Sequence, residues 1–210
     1  MSIAIVDYDA GNLRSVQKGF ERIGAEAIVT RDAEKIKSAK ALVLPGVGAF
    51  NECMLHLTKF GLTNVVRDFI LADRPFLGIC VGYQLLFEKS EEFGHAEGLG
   101  IFKGKCVKFP FAPTAGLKIP HMGWNQAIKQ NGTGKLFNGI PENSDFYFVH
   151  SFYPVPEENI MASETEYGGV LFASSIERGN IFATQFHPEK SQKVGLVVLE
   201  NFAKIAGVIE

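Results

Sequence analysis

The stretch PFLGICVGYQLLF, residues 75–87, sets a short apolar run against a cysteine with a glycine two positions away on either side. PFLGI (75–79) has the length and composition of a buried strand, and VGYQLLFEKS (81–90) reads as helical, so Cys80 falls at the bend between them. Where a strand turns abruptly into a helix, the residue at the bend is strained and its side chain projects above the sheet. Gly78 and Gly82 keep such a crowded turn free of β-carbons. Backbone N–H groups at a helix start also favour a thiolate over a thiol. The segment therefore reads as a nucleophile elbow carrying sulfur. A small buried side chain in a glycine-rich turn is the competing reading, and Cys80 by itself does not decide between them.

Outward from the elbow, strands and helices alternate. SIAIV (2–6), EAIVT (26–30) and KALVL (40–44) are short apolar strands, and in NLRSVQKGFERIG (12–24) Leu13, Val16, Phe20 and Ile23 share one helical face, with Gly24 as the stop. Residues 50–72 carry helical spacing in two pieces broken near Gly61. This alternation predicts an α/β fold with a central, mostly parallel sheet flanked by helices, whose ligands gather at the carboxyl ends of the strands. From Gly98 onward GIFKGKCVKF, DFYFVHSFYPV, GGVLFASSIERGN and IFATQFHP read as strands and hairpins, an antiparallel extension in the C-terminal half closed by a helix over about 192–206. PFAPTAGLKIPHMGWN (110–125) reads as a long Pro- and Gly-rich surface excursion, and residues 1–210 as a single domain.

Composition narrows the function. A formal net charge of −2 and a pI near 6.2 give no global field for nucleic acid or a membrane surface. No apolar run approaches the roughly 20 residues of a membrane span and no signal peptide is evident, so a cytoplasmic protein is expected. Three cysteines, Cys53, Cys80 and Cys106, are too few for a disulfide framework and lack zinc-ligand spacing. No metal or cofactor is expected.

A thiol nucleophile needs a base and a group to orient that base. Of five histidines, His187 in QFHPEKS follows the strand IFATQF and precedes a proline that disfavours helix at His187 itself. In an extended segment residues i and i+2 point the same way, so Glu189 can reach one imidazole nitrogen while the other faces a thiol. Cys80, His187 and Glu189 form the candidate triad. His121 and His150 lie in loops without a carboxylate two positions away, while His56 and His95 look like helix-face and loop residues. Oxyanion donors are expected from the N–H of Val81 and from the turn LPGVGAF, through Val47, with Gly46 and Gly48 allowing a close approach. An ordinary tight turn is the alternative for PGVG.

GICVGYQ, PGVGAF and QFHPEKS, in this order, resemble the signatures of class I (triad) glutamine amidotransferases, of flavodoxin-like fold. DYDAGNLRSV, QLLFEKSEE, IPHMGWN and FYFVHSF are, with them, similar to the glutaminase subunits of imidazole glycerol phosphate synthases, and these matches span almost the whole chain. Small departures occur at Val81, Tyr83, Asp9 and Phe152, where leucine, methionine, glycine and tyrosine respectively are usual or common; none removes a catalytic group. The resemblance implies hydrolysis of glutamine through a Cys80 thioester, with Gly48, Gln84, Glu92, Ser151 and Phe152 as substrate contacts. It also implies a heterodimer with a TIM-barrel cyclase subunit, docked at or near Asn12, Met122, Trp124 and Tyr147, and an oxyanion site completed only in the working complex. Two rivals remain: a free-standing cysteine hydrolase of the same topology, and an idle binding subunit.

Overall fold

The computed structural model describes residues 2–111, 116–130 and 134–210. Residues 112–115 of the expected excursion lie outside the described residues. The N-terminal half alternates strand and helix: β1 (Ile3–Val6), α1 (Leu13–Arg22), β2 (Ala27–Thr30), α2 (Ala33–Ser38), β3 (Ala41–Gly46), α3 (Phe50–Lys59), α4 (Thr63–Leu71) and β4 (Phe76–Cys80). A single turn, α5 (Val81–Gln84), leads into β5 (Phe87–Ser90), β6 (Ala96–Glu97), β7 (Phe102–Lys108), β8 (His121–Gln126), β9 (Ile128–Lys129), β10 (Asp145–His150) and β11 (Phe152–Pro156). β12 (Met161–Tyr167), β13 (Val170–Arg178), β14 (Ile181–Thr184) and α6 (Gln192–Ile205) complete the chain.

The main sheet has the order β2-β1-β3-β4-β14-β13-β12-β9. β2, β1, β3, β4 and β14 run parallel, and β13, β12 and β9 extend them antiparallel. The crossover from β1 through α1 to β2 runs outward, and the next one hops back over β1 to β3. Right-handed crossovers then put α1 on one face and α2 to α4 on the other. α6 joins α1, with the rings of Phe20 and Phe202 6.2 Å apart. Burying such a phenylalanine contributes about 1.5–3 kcal/mol each. Gly24, at φ +79°, ends α1 as expected, and Gly61, at φ +68°, separates α3 from α4.

Several expectations need correction. α2 is absent from the sequence reading because only Ile36 of it is buried, too little apolar period to detect; Asp32 starts it by accepting from the N–H groups of Glu34 and Lys35. The helix expected over 81–90 stops at Gln84. Its continuation to Ser90 would need the carbonyls of Leu85 and Leu86 for the N–H groups of Lys89 and Ser90, and those of Phe87 and Glu88 to go any further. Those oxygens are instead taken by Leu99 (2.7 Å to Leu85), Ile101 (2.8 Å to Leu86), Gly100 (3.2 Å to Phe87) and Gly98 (2.8 Å to Glu88). The chain therefore leaves the turn as β5, parallel to β7. Finally, residues 121–125 of the supposed excursion belong to strand β8, paired antiparallel with β10 along its whole length. Trp124 thus sits on a strand, and His121 and His150 face each other across that ladder rather than lying in loops. β12 buries Ser163 and Thr165 and, of apolar residues, only the small Ala162, which hid it.

Candidate active site

The carboxyl ends of β3, β4 and β14 converge on one cavity of about 210 Å³, lined in part by Val47, Gly48, Cys80, Val81, Gln84 and Glu92. The other wall brings Val149, His150, Ser151, Phe152 and His187. That volume lies below the range of about 300–1,000 Å³ typical of drug-sized ligands and suits a small polar molecule.

Cys80 stands at φ 55°, ψ −110°, a backbone that costs roughly 1–3 kcal/mol for a non-glycine residue and persists because its surroundings over-determine it. Those surroundings need the two glycines. A Cβ at Gly78 would lie 2.9 Å from the Gly82 carbonyl oxygen, and one at Gly82 only 1.8 Å from that of Leu44 on β3. The sulfur is 3% exposed at the residue level yet borders the cavity. It lies 3.8 Å from the Val149 carbonyl and receives the Gln185 side-chain amide at 3.7 Å. The helix behind it is a single turn of four residues, so the expected dipole support for a thiolate is confined to a few N–H groups.

His187 is extended, at φ −99°, ψ 98°, as Pro188 requires. Its Nδ1 meets Glu189 Oε1 at 2.8 Å, with both side chains buried. Nε2 is buried without a hydrogen-bond partner among the described residues, in the cavity wall that also carries Cys80. Burial disfavours the imidazolium, but the charge of Cys80 and then Glu189 outweigh it and raise the pKa to about 10. Cys80 and His187 thus line one small cavity, and the Glu189 carboxylate holds the imidazole nitrogen that faces away from it.

On the rim, Tyr8 from the end of β1 donates to the Pro45 carbonyl at 2.6 Å and pins the PGVG turn. The Val47 carbonyl accepts the Cys53 thiol at 3.6 Å. Burial lifts that thiol to about 11, so it stays a donor, and burial likewise raises Cys106, which bonds the Gln84 carbonyl. Glu92 Oε2 accepts the Phe50 N–H at 2.8 Å, and Gln84 Nε2 donates to the carbonyl of Phe152 and to Gln185 Oε1. Gln84 Oε1 has no hydrogen-bond partner among the described residues. The departures at Tyr83 and Asp9 fit their places. Tyr83 is fully buried, with its hydroxyl on the Ala173 carbonyl, and Asp9, at φ 61°, pairs with Arg31 at 2.7 Å.

Met122 and Trp124 project from β8 and are 63% and 48% exposed; Trp124 packs edge-on against Tyr147 of β10 at 6.0 Å. Asn12 is exposed at the start of α1. Three groups escaped the sequence reading. Gln185, two residues before His187, had the same i, i+2 signal as Glu189. Tyr8 and Ser191 carried none, since their partners Pro45 and Tyr147 are distant in sequence.

The family model for glutamine amidotransferase class-I matches residues 4–206. The chain belongs to that family. This amidotransferase is 50% identical over 204 residues to the imidazole glycerol phosphate synthase subunit HisH of Syntrophotalea carbinolica, covering 95% of this chain and 98% of the relative. It is 48% identical to the subunit of the same name from Aquifex aeolicus, covering 98% of each. Among solved structures, a glutamine amidotransferase superposes with a TM-score of 0.70 at 19% identity, covering 99% of this chain and 100% of that one. PurLQS from Thermotoga maritima gives 0.72 at 18%, covering 97% of each. At such identities the two structures speak for the amidotransferase's fold.

Proposed function

We propose that this chain is the glutaminase subunit of an imidazole glycerol phosphate synthase, acting as one domain in the cytoplasm for histidine biosynthesis. The observation that carries the reading is that Cys80 and His187 line one cavity, with Glu189 on the far imidazole nitrogen, in a chain half identical to HisH subunits. Cys80 as thiolate attacks the side-chain amide carbon of glutamine, and the amide oxygen takes the displaced electron pair. The N–H groups of Val81 and Val47 are the donors assigned to that oxygen. His187 passes its proton to the departing nitrogen, ammonia leaves, and a glutamyl thioester remains. His187 then takes a proton from water, whose oxygen displaces the sulfur to give glutamate. Glu189 holds the imidazole throughout.

A zwitterionic substrate needs acceptors for its ammonium and donors for its carboxylate. Glu92 and Gln84 Oε1 suit the first. For the second, the carbonyl of Ser151 already accepts the Phe109 N–H at 3.1 Å, and that of Phe152 is taken by Gln84 and His150. What this turn has left to offer is N–H. Gly48 closes the cavity from the PGVG side.

Ammonia released into water at neutral pH becomes ammonium and stops being a nucleophile, so the reading includes a docked consumer. That partner is a cyclase subunit of TIM-barrel fold, which turns a phosphoribulosyl-formimino aminoimidazole carboxamide nucleotide into imidazole glycerol phosphate and aminoimidazole carboxamide ribotide. Asn12, Met122, Trp124 and Tyr147 are assigned to its docking surface, and the PGVG turn to a rearrangement that completes the oxyanion site in the complex. Co-purification with the cyclase and Cys80→Ala test this. The variant is expected to lose glutamine-dependent synthesis and keep synthesis from ammonium salts. Loss of both, or glutaminase activity in the wild type that ignores the cyclase, would overturn the assignment.

A further inference from the structure

Two buried histidines take no part in the chemistry above. His121 on β8 and His150 on β10 are 3% and 5% exposed and sit among aromatic rings. His121 stacks on Tyr167 and Phe148 at 4.0 and 5.0 Å, and His150 lies 5.1 Å from Phe172 and 5.3 Å from Phe109. Apolar side chains would fill such a cluster without the cost of burying ring nitrogens that need partners.

The hydrogen bonds joining them have one possible direction. His150 Nδ1 stands 2.9 Å from the Phe152 carbonyl, which only accepts, so Nδ1 carries the proton and Nε2 of the neutral ring accepts. The group facing that Nε2 is His121 Nδ1, at 3.1 Å, which must therefore donate. His121 Nε2 is left as an acceptor, and Asn125 Nδ2 supplies its donor at 3.3 Å. The Asn125 amide cannot be reversed, because Nδ2 also donates to the Glu166 carbonyl at 2.9 Å and Oδ1 accepts the Gln126 N–H at 2.8 Å. Burial disfavours the charged form of both rings, lowering His121 to about 4 and His150 to about 3, so both are neutral in the physiological range. At its far end the chain meets Gln84 Nε2, 2.9 Å from the same Phe152 oxygen. Both lone pairs of that carbonyl are then in use, and the peptide is not free to turn it into the cavity.

We propose that Asn125, His121 and His150 are positioning residues for glutamine, a one-way hydrogen-bond chain from strand β8 that holds the Phe152 carbonyl aside and leaves the Ser151–Phe152 turn set to receive the substrate carboxylate. The proposal deepens the glutaminase reading and rests on it. The chain starts beside Trp124 on the strand assigned to the partner, so it also ties that strand to the pocket wall.

Two measurements test it. Nitrogen-15 NMR of the imidazoles in the full chain should find both rings protonated on Nδ1; a proton on Nε2 of either neutral ring overturns the chain without reference to activity. In the complex with the cyclase, His150→Phe keeps a ring in the aromatic cluster and deletes the donor. It should raise the glutamine KM about tenfold or more, leave kcat within about threefold, and leave ammonium-dependent synthesis unchanged. His150→Asn, whose amide N–H can take the place of Nδ1, should recover most of the KM. Should His150→Phe fold poorly, Asn125→Leu at the half-exposed end should raise KM in the same direction. A KM within about twofold of wild type in a folded variant overturns the proposal. A wild-type complex that leaves glutamine intact would instead overturn the glutaminase reading.

Discussion

Gly82→Ala puts two physical effects in direct opposition. Gly82 lies in the turn α5 and has no left-handed backbone, so helix propensity alone predicts that alanine stabilises the chain by about 1 kcal/mol. The added methyl, however, would sit 1.8 Å from the Leu44 carbonyl oxygen and 2.8 Å from its carbon. An ordinary carbon–oxygen contact is about 3.3 Å, so β3 and the elbow would have to separate by roughly 1.5 Å. Neither gives easily, because Leu44 is paired with Gly78 in the middle of the parallel sheet. Overpacking of this kind costs about 1–3 kcal/mol or more, and the clash wins. The same separation moves Cys80 relative to His187, and a misplacement of about 1 Å costs on the order of 100-fold in rate. Urea denaturation of the full chain should show the loss of stability. Glutamine-dependent synthesis in the complex should fall about 100-fold while ammonium-dependent synthesis persists. Gly24→Ala serves as the comparison: its φ is +79° with open space around it, so it should lose only about 1 kcal/mol and no activity. A Gly82→Ala protein as stable and active as wild type would refute the account of the elbow.

Glu189→Gln keeps the shape of the His187 partner and removes its charge, so the imidazolium loses support and glutaminase kcat should fall by about 100-fold or more, measured against unaltered ammonium-dependent synthesis. Ser191→Ala removes a buried hydroxyl that donates to the His187 carbonyl at 2.7 Å and accepts the Tyr147 N–H at 3.0 Å; a stability loss of about 1–3 kcal/mol by urea titration is expected. Stability should also fall in acid. His121 and His150 have folded pKa values depressed to about 4 and about 3, so between the unfolded value near 6.5 and those values the unfolded chain binds more protons. Stability is then full above pH 6.5 and lost as pH falls toward 4, by about 1.4 kcal/mol per pH unit for each ring, and His150→Phe should flatten the slope. His187, raised to about 10, acts in the opposite window: its contribution is full below 6.5 and is lost as pH rises toward 10.

The parallel half of the fold and the triad were legible because their signals are local. Strands β1 to β4 are uninterrupted apolar runs, α1 and α3 carry helical periods, and His187 and Glu189 lie two residues apart on an extended segment whose geometry Pro188 fixes. What the local pattern could not convey was competition for backbone partners. Residues 85–90 have helical spacing, yet the carbonyls of residues 85–88 bond to residues 98–102, a choice visible only when both segments are placed. Strand β8 was hidden for the same reason, since its pairing with β10 bridges the intervening residues 127–144.

By itself, the sequence determined that a cysteine stands at a glycine-flanked strand end and that a histidine and a glutamate form a unit elsewhere, because backbone sterics and i, i+2 spacing act over a few residues. Only the tertiary structure decided that β4 and β14 are neighbours, which carries that unit to the sulfur, and that two distant histidines join in one directed chain. Sheet order and the direction of a buried hydrogen bond depend on which groups become neighbours, and that is settled by the packing of the whole chain.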